Sequence, residues 1–199
     1  MSLNCLGYEV LSAEENMQKD KNIMTIGSED VSLRLYSWKD TCVTYGYNQK
    51  ESDVIKIVKE TMNLTISEFV RRPTGGGLVI HNPENLSWTL FVPTKLLTEK
   101  SLLTFYYKLS LIYAEVLNEC GISCQLTKSN REEYNEKKIN DICINYPSKY
   151  ELVDEFGQKL IGSAQKKTKI ALIQQNNLFI KEPSAFKQKL INRLTETFT

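Results

Sequence analysis

Nowhere in the 199 residues does an apolar run approach the length of roughly 20 that spans a bilayer. Met1 to Val10 lacks the basic region and apolar stretch of a secretory signal. Charge of one sign is also missing: 25 Lys and Arg against 24 Asp and Glu leave a net +1, which gives no reason to expect a nucleic acid or an anionic membrane as partner. Cysteine is sparse, odd in number and scattered (Cys5, Cys42, Cys120, Cys124, Cys143). That argues against a disulfide framework and for reduced thiols in the cytoplasm, with the first four read as buried apolar thiols. Cys120 and Cys124 have no second Cys or His pair to complete a zinc site, and no metal site is expected. Histidine occurs once, and no repeat or low-complexity segment is visible. What remains is 41% hydrophobic and 25% charged, the make-up of one globular domain over 1–199 with its own core.

Periodicity predicts a helix over Ala13 to Ile26 with Ser12 as its cap, then a half-buried strand over Val31 to Tyr36 and a short one over Thr41 to Tyr45. Val54 to Met62 reads as a helix; Phe69 to Arg72, Leu78 to Ile80 and Ser87 to Val92 read as strands. A long helix is predicted over Lys100 to Cys120, its apolar face formed by Leu102, Leu103, Tyr106, Leu109, Leu111, Ile112, Ala114 and Leu117, with Gly121 ending it. Ile122 to Leu126 is a further strand, and the polar stretch Ser129 to Asn140 reads as an exposed loop. Tyr150 to Val153 and Lys159 to Gln165 form a hairpin around Gly157. Two more strands, Ile170 to Gln174 and Leu178 to Ile180, precede a last helix opened by Pro183. The fold class is α+β, with helices packed on a mixed, mostly antiparallel sheet.

Arg71-Arg72-Pro73-Thr74-Gly75-Gly76-Gly77, running on to His81, is the densest stretch. Three consecutive glycines strip side chains from a short arc, which permits φ > 0 and lets a ligand approach the main chain. Exposed amides in such an arc bind carboxylate or phosphate, and Arg71 and Arg72 add charge of bidentate geometry. A plain hairpin turn with solvated arginines accounts for the same residues, and the arc fits neither the phosphate-loop nor the dinucleotide pattern. His81 alone reads as a satisfied structural histidine. In Lys159-Leu160-Ile161-Gly162-Ser163-Ala164-Gln165-Lys166-Lys167, strict alternation puts Lys159 and Ile161 on one face. Small Gly162 and Ala164 suit a close approach. On composition alone Lys159 is an ordinary edge-strand lysine, and Lys166 and Lys167 are solvated.

The string RRPTGGGLVIH followed by KLIGSAQKK resembles the paired signature of the biotin/lipoate ligase and lipoyl/octanoyl transferase superfamily. Asn16-Met17 with Asp20, Arg34-Leu35-Tyr36-Ser37-Trp38, and Tyr45-Gly46-Tyr47-Asn48-Gln49 resemble three supporting motifs. The resemblance implies a single catalytic domain that passes an acyl group to a lysine of a small lipoyl domain. Carriers of this kind belong to 2-oxoacid dehydrogenases or the glycine-cleavage system. It implies that Arg72, Gly75, Gly76, Gly77 and His81, with Gly162, Ser163 and Ala164, line the acyl or adenylate pocket, and that Lys159 meets the acyl carbonyl or the adenylate phosphate.

Asp141-Ile142-Cys143 through Pro147-Ser148-Lys149-Tyr150-Glu151 resembles the stretch where one class of octanoyltransferases carries its nucleophilic cysteine. Asn140-Asp141 also resembles an Asn-Asp pair of ligases. With no C-terminal accessory domain expected, the leading reading is transfer of octanoyl or lipoyl from acyl carrier protein through Cys143, needing no cofactor. The alternative is an ATP- and magnesium-dependent lipoate–protein ligase acting through lipoyl-AMP; a third is a non-catalytic acyl-binding paralogue. Gln174-Gln175-Asn176-Asn177 stands where most relatives have Gln-His-Gly, and His81-Asn82 replaces the common His-Asp.

Overall fold

The computed structural model of the chain describes residues 2–98, 101–127, 149–180 and 183–199. The elements run β1 (Leu3–Leu11), α1 (Ala13–Ile26), β2 (Val31–Trp38), β3 (Cys42–Tyr45), α2 (Glu51–Thr61), β4 (Phe69–Arg71), β5 (Val79–His81) and β6 (Leu86–Pro93). A single 3₁₀ turn leads to α3 (Leu102–Glu119), β7 (Gln125–Leu126), β8 (Leu152–Val153), β9 (Lys159–Lys167), β10 (Ala171–Leu178) and α4 (Ser184–Phe198). Seven strands form one sheet in the order β1-β2-β6-β10-β9-β8-β7, and β4-β3-β5 form a second. In the large sheet β1 is parallel to β2 and the other pairs are antiparallel. The α+β expectation holds.

Strand alternation divides the central strands between two cores. Leu33 and Leu35 of β2 and Trp88 and Leu90 of β6 pack with Phe105, Leu109 and Tyr113 of α3 and Phe186 and Leu190 of α4. On the opposite face Tyr36 and Trp38 pack with Ala13 and Met17 of α1, Cys42 of β3 and Val70 of β4. Val43 and Tyr45 turn away from that face to meet Val54 and Val58 of α2. The layers are therefore α3 with α4, the large sheet, α1 with the small sheet, and α2. α1 is fixed at its start by a capping box, Ser12 accepting from the Glu15 amide and Glu15 from the Ser12 amide. Such a cap is worth about 1 kcal/mol.

Four expectations change. β2 is buried along its whole length rather than half-buried, because helices or the small sheet cover both faces. β10 is one continuous strand with Gln174 to Asn177 at its centre, not two. The buried face of α3 is Phe105, Leu109, Ser110, Tyr113, Val116 and Leu117, while Leu102, Leu103 and Leu111 are exposed. A helix this rich in apolar residues carries no clear stripe, so tertiary packing chooses its face. Cys5 lies exposed on the edge strand β1, Cys42 is buried, and Cys120 and Cys124 are half-buried.

Candidate active site

Between the large sheet and the layer of α1 and the small sheet lies a cavity of ≈ 90 Å³. One ordered water needs about 10–15 Å³. Its walls come from Met17 of α1, Tyr36 and Trp38 of β2, Thr44 of β3, Arg72 and Gly76 of the glycine arc, and Val79 and His81 of β5. β9 supplies Lys159, Gly162, Ser163 and Ala164; Ser87, Glu151, Gln175, Asn176, Asn177 and Phe179 complete it.

Lys159 reaches the cavity through an irregularity in the sheet. Leu152 pairs with Ile161 but the next residue, Val153, pairs with Lys159, so Leu160 is the extra residue of a β-bulge. A bulge turns the side chains on either side of it out of simple alternation. Leu160 and Ile161 both enter the α3 core, and Lys159 faces the cavity instead of sharing a face with Ile161. It is not an edge lysine: β9 is covered on both sides, and the Lys159 and Glu151 side chains are 1% and 2% exposed. Lys159 Nζ stands 2.8 Å from Glu151 Oε2. Thr127 holds Glu151 in place, its amide donating to Glu151 O at 2.9 Å and its Oγ1 accepting from the Glu151 amide at 3.1 Å. The preceding Tyr150 takes φ 67, a left-handed conformation that a bulky residue rarely adopts and that its surroundings must enforce.

The glycine arc is built from within. Arg72 is buried and donates to the carbonyls of Gly75 and Gly77, both at 2.6 Å, and to Thr44 O at 3.3 Å. Arg71 lies outside, its guanidinium 5.5 Å from the Tyr45 ring centre. Of the three glycines Gly76 has positive φ (89°). The arc also presses on Gly46, where a Cβ would stand 1.9 Å from Gly76 O. Gly46 is thus the residue that lets β3 and the arc touch.

Behind the cavity, polar side chains from the large sheet, α1, the small sheet and the glycine arc form two groups. Asp20 is fully buried and pairs with Arg34 at 3.0 Å; Thr89 Oγ1 and Gln175 Nε2 each donate to its Oδ2 at 2.7 Å. Burial pushes the Asp20 carboxyl above its ordinary range against the pull of Arg34, Thr89 and Gln175. Gln175 Oε1 in turn accepts from Thr74 Oγ1 at 2.7 Å, which ties the network to the glycine arc. The second group centres on His81, stacked on Trp38 with ring centres 3.9 Å apart. Its Nδ1 is 3.0 Å from Asn177 Oδ1 and its Nε2 is 2.9 Å from Thr44 Oγ1. Burial, with Arg72 nearby, pushes its pKa down to about 3 against the Asn177 hydrogen bond, so the ring is neutral at physiological pH.

Of the residues singled out by sequence, Lys159, Arg72, Gly76, His81, Gly162, Ser163 and Ala164 line one cavity, whereas Gly75 and Gly77 shape the arc without lining it. Cys143 and the polar stretch Ser129 to Asn140 lie outside the described residues. Glu151, Gln175, Asn177 and Gly46 were missed as site residues, although all four stand within or beside the strings already noticed.

Residues 8–195 match the model of the lipoyl protein ligase A/B catalytic domain. The chain belongs to that family. An octanoyltransferase LipM from Brevibacillus brevis is 32% identical over 179 residues, covering 86% of this chain and 63% of the relative, so the chain spans less than two thirds of that relative's length. Among solved structures, a bipartite lipoate protein ligase from Thermoplasma acidophilum superposes with a TM-score of 0.73 at 14% identity, covering 99% of this chain and 84% of that one. A lipoate-protein ligase A bound with ATP gives 0.69 at 18% identity, covering 100% and 84%. These structures share the fold of this chain, whose described residues form four α-helices, a mixed seven-stranded sheet and a three-stranded sheet. No described helix is long and apolar enough to cross a membrane.

Proposed function

We propose that this chain moves an octanoyl or lipoyl group from a thioester on acyl carrier protein to the ε-amine of a lysine on a lipoyl domain, with Cys143 as the relay. Cys143 thiolate attacks the acyl carbonyl and the carrier's pantetheine thiol leaves. The lysine amine then attacks the new thioester, an amide forms, and the Cys143 thiolate is regenerated. The relatives named octanoyltransferase, similar along 86% of this chain, support the reaction class.

One observation carries the choice of donor: the buried Lys159 ammonium in the cavity wall is already matched by the Glu151 carboxylate. A neutral thioester enters beside that pair without adding a charge. A free carboxylate would have to compete with Glu151 for the same ammonium, in surroundings where an unmatched charge is costly. ATP with magnesium, which lipoyl-AMP formation would need, suits the cavity less well: the cations that line it, Arg72 and Lys159, are engaged by backbone carbonyls and by Glu151. The four described cysteines are free thiols, which suits the cytoplasm.

Intact mass after incubation with octanoyl-acyl carrier protein tests this reading. An octanoyl adduct at Cys143 that passes to an added lipoyl domain is expected, and transfer at the wild-type rate by Cys143→Ala would sink the covalent route. Lipoate-dependent pyrophosphate release with modification of the lipoyl domain would establish the ligase in its place.

A further inference from the structure

Asn177, in β10 on the cavity wall, has an amide that is only half satisfied. Its Oδ1 accepts from Ser87 Oγ at 2.7 Å and from His81 Nδ1 at 3.0 Å. Trp38 Nε1, which only donates, points to Ser87 Oγ at 3.0 Å, so the Ser87 proton is left to go to Asn177. That fixes the amide with its oxygen toward Ser87 and its NH₂ away, and places the proton of the neutral His81 on Nδ1. The Nδ2 group is buried and has no hydrogen-bond partner among the described residues, in a side chain that lines the cavity. An unmet buried donor is a standing cost, and in a side chain that lines a cavity a ligand atom can remove it.

We infer that Asn177 is a specificity residue whose Nδ2 donates a hydrogen bond to the carbonyl oxygen of the bound acyl group. The inference rests on the cavity being the acyl site proposed above. A saturated acyl thioester carries one strong acceptor, its carbonyl oxygen; the alkyl chain has none. The position agrees. Asn177 pairs across the sheet with Gly162, and a Cβ on Gly162 would lie 3.5 Å from Lys159 Cδ, so the amide stands beside the lysine stem. With Lys159 balanced by Glu151, a neutral donor on the carbonyl polarises it without bringing a net charge into the cavity.

Two ligands separate the carbonyl from the chain: S-octanoyl-pantetheine, and S-octyl-pantetheine, which lacks the oxygen. Their binding is measured by calorimetry on Cys143→Ala, so that no acyl transfer intervenes, and again with Asn177→Asp or Asn177→Ser added. Asp keeps the acceptor for Ser87 and His81 but removes the NH₂. With Asn177 present the octanoyl ligand should bind about 3- to 10-fold more tightly, the size of one net hydrogen bond, and the preference should vanish in both variants. Isotope-edited infrared spectra of the bound carbonyl, taken with Asn177 intact, should show its band lowered relative to the free ligand, a readout independent of how the variants fold. Equal binding of the two ligands with Asn177 present, an unshifted band, or a preference unchanged in the variants would overturn the assignment. Failure to bind either ligand would overturn the acyl-site reading itself, and this inference with it.

Discussion

Replacing Glu151 by Gln should both destabilise the protein and change what its cavity accepts. The Lys159–Glu151 pair is 2.8 Å apart with side chains 1% and 2% exposed, so solvent does little to screen it. Removing one partner of a buried pair costs about 3–5 kcal/mol, because the other charge is left behind. In a chain of this size about 1 kcal/mol corresponds to roughly 2–4 °C in Tm, which puts the expected drop at roughly 6–20 °C. Lys159→Met should cost a similar amount, and the double variant clearly less than the sum of the two. Thermal and denaturant unfolding of the four proteins measures this coupling. Costs that add to within about 0.5 kcal/mol would refute the pair as a coupled unit. The same variant tests the charge reasoning. With Glu151 neutral, Lys159 gains a use for an external carboxylate, so octanoate should raise the Tm of Glu151→Gln more than that of wild type. Ligand at a hundredfold over Kd stabilises by about 2.7 kcal/mol, enough to recover much of the loss. Equal protection of both proteins would remove the basis for preferring a neutral acyl donor.

Gly46→Ala should displace the glycine arc, since the new Cβ meets Gly76 O at 1.9 Å; a loss of about 1–3 kcal/mol is expected. Gly75→Ala, with nothing within 4 Å, should stay within about 0.5 kcal/mol in the same denaturant titration. For His81 the folded pKa of about 3 lies below the unfolded value near 6.5, so its contribution is complete above that value and lost as pH falls from about 6.5 toward 3. Wild type should lose up to about 4–5 kcal/mol relative to His81→Gln across that window, and identical pH slopes would contradict the assignment. Cys42, its thiol pushed up to about 12 mainly by burial and also by Glu68 and Asp40, should resist alkylation at pH 8 in the folded state while exposed Cys5 reacts, as peptide mapping would show.

Local patterns made the helices and most strands legible, because α1, α2 and α4 carry caps, prolines or clear amphipathic spacing and the strands are bounded by turn residues. The lining residues of β9 and the glycine arc were legible from motif resemblance rather than from periodicity. Periodicity misplaced Lys159, since the bulge at Leu160 exists only in the pairing of β9 with β8. It also split β10 at Gln175 to Asn177, because two of these three residues are asparagines, a type depleted in strands. In the sheet those three are held by neighbours distant in sequence, such as Asp20, Thr74, Trp88 and His81. Glu151 was passed over because nothing local shows that a carboxylate will be buried against a lysine across a turn.

The scattered motifs turn out to be one mechanical object. Asn16 accepts from Arg34, Arg34 donates to Asp20, Asp20 accepts from Gln175, Gln175 accepts from Thr74, and Thr74 begins the arc whose carbonyls Arg72 clamps. Each link is buried, so breaking any one leaves a polar group without water to replace its partner. The network therefore couples α1, β2 and β10 to the glycine arc more tightly than apolar packing alone would. In this chain Gln175 carries that coupling. An amide donates and accepts at once without itself titrating, so Gln175 can serve Asp20 and Thr74 together. Gln175→Leu keeps the volume but severs both hydrogen bonds. It should lower stability by about 2–4 kcal/mol, from two buried groups left unmet at roughly 1–2 kcal/mol each. It should also raise the rate of proteolytic cleavage within the arc. Unchanged cleavage in a destabilised Gln175→Leu protein would mean that the arc stands on Arg72 alone.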